Sequence, residues 1–219
     1  MPPKRLTARE YFDAMAHMRM GWLHPGGERA TALLFDQVGE LGGVGRMLEF
    51  GCGTGHTAQL MLRRWRGPYT GIDLSPVMLE QARRRLAKDG SRAKLRQLDM
   101  DRDPWPFAAG SFELIVAESV LGVVDAEHAL DRLTEALAPG GWLAINERLW
   151  GDAESDGATA EVLEFPIASR ALPRPADWVD AYNLGAATSA TAPPCPMASA
   201  PSSTAAVACP SGRCTRATP

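Results

Sequence analysis

Up to about residue 150, compact segments of strand-like composition alternate with stretches in which apolar side chains recur every third or fourth position. Segments Arg46–Phe50, Tyr69–Asp73, Lys94–Leu98, Phe112–Ala117 and Trp142–Glu147 predict five strands. Phe112–Ala117 is apolar except for Glu113, as suits a strand covered on both faces. The spaced stretches predict helices burying Ala58, Met61, Leu62 and Trp65, then Leu79, Ala82 and Leu86, then Ala129, Leu130, Leu133 and Leu137. Two further helices come first. One covers 7–20, with Thr7 and Glu10 as a capping box and Tyr11, Met15 and Met18 on one face; the other runs from about 28 to 41, with Ala30, Leu34, Val38 and Leu41 inward. Ser75-Pro76 supplies an N-cap and a first-turn proline, while Gly67-Pro68, Gly90 and Pro139-Gly140-Gly141 stop helices. Strand–helix alternation through five strands implies an α/β fold: a doubly wound, mainly parallel, Rossmann-like sheet with right-handed crossovers.

Beyond Trp150 the pattern fades, leaving helix expectations at 156–169 and Pro175–Leu184. From Ala186 onward, Ala, Pro, Ser and Thr make up 26 of 34 residues, and Met197 and Val207 are the only sizeable aliphatic groups. So little apolar surface does not offset the entropy of ordering, so the expectation is a domain at 1–185 and a disordered low-complexity tail at 186–219.

Composition narrows the function. A formal net charge of −3 gives no basic excess for a nucleic-acid partner. Cys195, Cys209 and Cys214 fall in the tail and Cys52 stands alone in the organised part, so neither a disulfide framework nor a paired metal spacing is present. No stretch is long and apolar enough for a bilayer, and the chain reads as cytoplasmic with no membrane partner.

The chemistry concentrates at Met47–Ala58, where Gly51, Gly53 and Gly55 alternate between the first strand and the next helix. Glycine there permits positive φ and close approach of a ligand to the backbone, and the helix start presents N–H groups to it. Two ligands fit this pattern. Gly53-x-Gly55-x-x-Ala58, with Asp73 twenty residues on, suits a dinucleotide. Glu49 inside the strand end would instead repel a pyrophosphate and attract a cation.

The fuller string Glu49-x-Gly51-x-Gly53-x-Gly55 resembles motif I of the class I S-adenosylmethionine-dependent methyltransferases. Thr70–Leu79, Leu98-Asp99-Met100, Ser111–Val116 and Leu137–Gly141 follow in the order of the small-molecule, ubiquinone-biosynthesis-like (type 11) group. The resemblance covers about residues 7–185 and implies S-adenosyl-L-methionine as methyl donor and a small-molecule acceptor. It implies that Asp73 accepts from the ribose hydroxyls, that Leu74 lies on the adenine face, and that Asp99 and the Met100 backbone meet the adenine edge. Glu49, Gly51, Cys52, Gly53 and Gly55 would surround the methionine end together with Glu118, and Tyr11 would close over the methyl group. Candidates for a general base are His17, His24, Glu118 and Glu147, with the glutamates favoured because strands four and five end beside the cofactor.

The resemblance also implies a strand order of 3-2-1-4-5-7-6, yet nothing after Ala186 reads as strands six and seven. Their loss would leave strand five as a bare edge. Two alternatives to an active methyltransferase therefore stay open: a truncated or frame-shifted remnant that only binds S-adenosylmethionine, and a nicotinamide-dependent oxidoreductase on the same fold class.

Overall fold

The computed structural model describes residues 6–24, 26–38, 45–149 and 203–210, the last as backbone only. The expected helices at 156–169 and Pro175–Leu184 lie outside them. Helices α1 (Ala8–His17) and α2 (Gly27–Val38) precede an alternating series: β1 (Met47–Phe50), α3 (His56–Arg64), β2 (Tyr69–Asp73), α4 (Pro76–Arg85), β3 (Ala93–Gln97), β4 (Phe112–Glu118), α5 (Ala126–Ala136), β5 (Leu137–Leu149) and β6 (Ser203–Pro210). The sheet order is β3-β2-β1-β4-β5-β6, with β1 to β5 all parallel. Strand order reverses between β1 and β4, which is where doubly wound sheets open a crevice beyond the carboxyl ends of their strands.

Side-chain alternation decides which groups reach that crevice from which face. Leu48, Phe50, Ile72, Ile115 and Ala117 pack with Ala129, Leu130 and Leu133 of α5 in one buried cluster. Met47, Tyr69, Leu114, Val116 and Ala144 pack on the opposite face with Leu34, Phe35 and Val38 of α2 and Ala58, Met61 and Leu62 of α3. Further along these strands, the same face carries Glu49, Asp73, Glu118 and Asn146.

The local signals act as their chemistry requires. Thr7 and Glu10 form the capping box of α1, and Ser75 Oγ accepts from the Met78 N–H at the start of α4. Met18 departs from its expected inward place: α1 ends at His17 and Met18, as its C-cap, is 59% exposed. β5 is longer than expected, because the Pro139-Gly140-Gly141 turn is taken up as an irregularity in the β4–β5 pairing between Phe112 and Leu114.

The largest correction concerns the tail. Ser203–Pro210, expected to be disordered, runs antiparallel to β5, from Leu149↔Ser203 to Trp142↔Pro210. Composition argued against this because such a segment has little apolar surface to bury. An edge strand, however, is recruited through backbone N–H and C=O groups, and β5 presents a row of them that must find partners. The antiparallel strand expected to be missing is thus replaced at that edge.

Candidate functional site

A cavity of about 420 Å³ opens over the carboxyl ends of β1, β2 and β4. The loop after β1 forms its floor. Gly51, Gly53 and Gly55 all have positive φ, at 75°, 50° and 80°. A Cβ on Gly53 would project into open space, so here glycine serves backbone conformation and leaves the approach to the cavity clear. Gly51 and Cys52 donate to the Ile72 carbonyl at 2.9 and 3.0 Å, tying the loop to the neighbouring strand.

Asp73 closes β2. Its Oδ2 accepts from Gly53 N–H at 2.7 Å and its Oδ1 from Ser75 N–H at 2.8 Å. A carboxylate offers about four acceptor positions, so two remain at a group that lines the cavity. Burial pushes the Asp73 pKa up to about 6 against these two N–H donors, with Asp13 adding to the rise. Asp13 also accepts from Ser75 Oγ, which fastens α1 to the start of α4.

Glu49 sits deeper, 4% exposed, and accepts from Tyr69 Oη at 2.7 Å. This bond is possible because Gly71, the register partner of Glu49, leaves space beside Tyr69 on the same face of β2. Burial holds the Glu49 carboxyl well above the usual range, reinforced by the charges of Glu118 and Asp73. Tyr69→Phe should therefore cost about 1–3 kcal/mol, because it leaves a buried oxygen without its donor. Urea unfolding measures this, and an unchanged midpoint would show that the pair contributes nothing.

At the tip of β4, side chains from five segments converge. Glu118 Oε1 accepts from Thr31 Oγ1 at 2.8 Å and Asn146 Nδ2 at 3.1 Å, while Oε2 accepts from Thr57 Oγ1 at 2.8 Å. His24 Nε2 lies 3.3 Å from Thr31 Oγ1, and its Nδ1 lies 3.2 Å from Asn146 Nδ2. Thr31 already donates to Glu118, so its hydroxyl oxygen is left to accept from His24 Nε2–H.

Leu74, Asp99 and Met100 line another part of the cavity wall. Asp99 Oδ1 accepts from Asp101 N–H at 3.1 Å, and Met100 is buried. Of the base candidates, Glu118 and His24 line the cavity. Glu147 does not: it is buried and accepts from Leu121 N–H at 2.9 Å, which ties β5 to the turn after β4. His17 is exposed at the end of α1. Tyr11 does not line the cavity either; Phe12, one position on, does. One residue is about 100° on a helix, and the way α1 docks on α4 sets which aromatic faces inward.

Sequence reasoning missed His56, the first residue of α3. It lines the cavity, accompanied by the Trp22 ring at 5.2 Å and the Thr54 hydroxyl at 2.9 Å, and Gly21 fits against its ring. Burial, with Arg85 and His24 nearby, lowers its pKa to about 4, so the ring is neutral near pH 7. Its position just inside the glycine motif was the available signal. Its contacts with Trp22 and Gly21 come from the α1–α2 connection, which carries no motif.

Comparison with known proteins agrees with this geometry. Residues 47–141 match the family model of a methyltransferase domain. The chain is 31% identical over 157 residues to methyltransferase GfsG of Streptomyces halstedii, covering 71% of this chain and 55% of that protein. It is 29% identical over 133 residues to the uncharacterized methyltransferase YodH of Bacillus subtilis, covering 61% and 55%. The chain thus spans about half the length of these curated relatives. In fold it is similar to phosphoethanolamine N-methyltransferase 2 of Haemonchus contortus, solved with phosphomonomethylethanolamine and S-adenosylhomocysteine: TM-score 0.68 at 22% identity, covering 80% of this chain and 43% of the other. With the strand order, the glycine loop and the acid-tipped second strand, these matches assign residues 47–141 to a methyltransferase domain.

Proposed function

We propose that this chain binds S-adenosyl-L-methionine in the cavity over β1, β2 and β4 and transfers its methyl group to a small-molecule acceptor. The observation that carries this reading is Asp73: a half-buried carboxylate, anchored by two backbone N–H groups, with two acceptor positions left beside an open glycine loop. A ribose presents two adjacent hydroxyls, which match those positions. Asp99 and the Met100 backbone suit the amino and ring-nitrogen edge of an adenine, and Leu74 suits its face. Gly51, Cys52, Gly53 and Glu49 surround the opposite end, where an amino-acid group fits. Phe12, rather than Tyr11, is the aromatic side chain that α1 brings to the cavity. When bound, S-adenosylmethionine supplies a methyl group already activated on a sulfonium, so the residues of the chain chiefly supply proximity and alignment. The phosphomonomethylethanolamine bound by the Haemonchus enzyme supports an acceptor of small-molecule size.

Isothermal titration tests the reading. S-adenosylhomocysteine should bind and NADH should not, because the cavity-lining carboxylates of Asp73 and Glu118 disfavour a pyrophosphate. Binding of NADH with none of S-adenosylhomocysteine would overturn it in favour of a nicotinamide-dependent enzyme.

A further inference from the structure

We propose that Trp22 and His56 form the acceptor subsite of the cavity and fit it to a neutral, planar ring that carries a hydroxyl group. This rests on the S-adenosylmethionine reading above, which draws the cofactor's partners from the ends of β1, β2 and β3 and leaves the wall made by the α1–α2 connection and the start of α3 unassigned.

Trp22 has an unusual backbone. Its φ is 56°, in the left-handed region that a bulky residue rarely enters. Strain of this kind persists only where the surroundings hold it, and it gathers at ligand-binding and active sites. Here the His56 ring is part of what holds it. A Cβ on Gly21 would collide with that ring, so only glycine lets the chain pass so close. The next residue then sets its indole beside the same imidazole, with ring centroids 5.2 Å apart and planes tilted by 48°. Both side chains line the cavity.

The two rings also keep polar atoms unspent. Among the described residues, neither Trp22 Nε1 nor His56 Nε2 has a hydrogen-bond partner, while His56 Nδ1 is taken by the Thr54 hydroxyl at 2.9 Å. That hydroxyl either donates or accepts, which leaves Nε2 as an acceptor or as a donor. A ligand hydroxyl matches both cases because it does either, whereas a carboxylate or phosphate only accepts and an ammonium only donates. The indole supplies the other half of the fit, a flat apolar surface against which a second ring packs.

Charge points the same way. Burial first, then Arg85, lowers the His56 pKa to about 4, so near pH 7 the ring offers an anion no counter-charge. Arg85 itself donates Nε–H to the Thr54 carbonyl at 2.8 Å. The two arginines that line the cavity stand beside carboxylates, Arg9 at 3.8 Å from Asp13 and Arg102 at 3.9 Å from Asp99. A neutral acceptor therefore suits this wall better than an acid or a phosphate.

The test is a ligand-observed NMR titration of the full chain, saturated with S-adenosylhomocysteine so that the cofactor's place is filled. The probes are phenol, cyclohexanol, toluene and benzoate; the last three each remove one feature, the planar ring, the hydroxyl or the neutrality. Phenol should bind about fivefold tighter than each of them, the size of effect that one ring contact or one neutral hydrogen bond brings. Trp22→Gly removes the indole and suits a φ of 56°. It should bring phenol and cyclohexanol to within about twofold of each other, with S-adenosylhomocysteine affinity held within about threefold. The comparison of probes in the unaltered protein needs no variant to fold. Equal binding of phenol and any one of the other three overturns the proposal. So does a phenol preference that survives Trp22→Gly, or a loss of S-adenosylhomocysteine affinity in that variant, which would place Trp22 in the cofactor site. If S-adenosylhomocysteine binds and phenol is not preferred, the subsite alone fails; if S-adenosylhomocysteine does not bind, the function proposed above fails and the subsite with it.

Discussion

Asp73→Ala lowers affinity for S-adenosylhomocysteine by about a hundredfold or more, with the fold retained. The estimate follows from two ribose hydroxyls donating to a charged acceptor, each bond worth ~1.5–3 kcal/mol. A second loss adds to it, because Gly53 N–H and Ser75 N–H lose the carboxylate that now orients the glycine loop and the start of α4. Asp73→Asn separates these contributions: it keeps the size of the side chain but replaces one acceptor oxygen with a donor. Calorimetry measures both variants, and parental affinity in Asp73→Ala would remove the ribose assignment.

The same residue gives binding a pH dependence. Its pKa in the folded protein is raised to about 6, and a ligand that donates two hydrogen bonds to it requires the ionised form. Affinity should therefore weaken as pH falls through 6, and Asp73→Asn should abolish that part of the profile. Stability runs the other way. The folded state holds this proton more tightly than the unfolded chain does, so the contribution of Asp73 to stability is greatest at acid pH and is lost as pH rises through about 6.

Ending the chain at residue 185 should lower the melting temperature by roughly 10 °C or more and make the protein self-associate. β6 pairs with β5 along eight register positions, Trp142 to Leu149, and removing it exposes that whole edge. At a net ~0.5–1.5 kcal/mol per ladder hydrogen bond the loss is several kcal/mol, and each kcal/mol shifts the melting temperature of a chain this size by ~2–4 °C. An unpaired β5 then offers a template to a second copy. The cavity-lining side chains lie between Thr7 and Val124, so the folded fraction of the shortened protein should still bind S-adenosylhomocysteine. Thermal denaturation and light scattering over a concentration series check the prediction. An unchanged melting temperature in a monomeric fragment would show that β6 is dispensable.

What was legible in the sequence was what neighbours along the chain dictate. The alternation Tyr69-Gly71-Asp73 against Thr70-Ile72 put the acid of β2 on the same face as its buried tyrosine, because a strand has period two whatever surrounds it. The three glycines announced a backbone with positive φ at the end of β1, because glycine adopts that conformation with no Cβ penalty. Thr7, Glu10 and Ser75 marked helix starts through bonds that span three residues.

Tertiary structure alone decided the rest, since the deciding contacts join residues whose separation leaves no periodic trace. Glu118 draws its donors from 87, 61 and 28 positions away, so the sequence shows a glutamate at a strand end but not the Thr31, Thr57 and Asn146 that hold it. The choice of Phe12 over Tyr11 depends on a helix rotation set by Asp13 and Ala16 meeting Ser75 and Gln81 of the α4 region. β6 is the extreme case. Composition measures what side chains gain by burial, whereas Ser203–Pro210 is held as a strand by the backbone of β5, and every residue but proline carries the same N–H and C=O to offer.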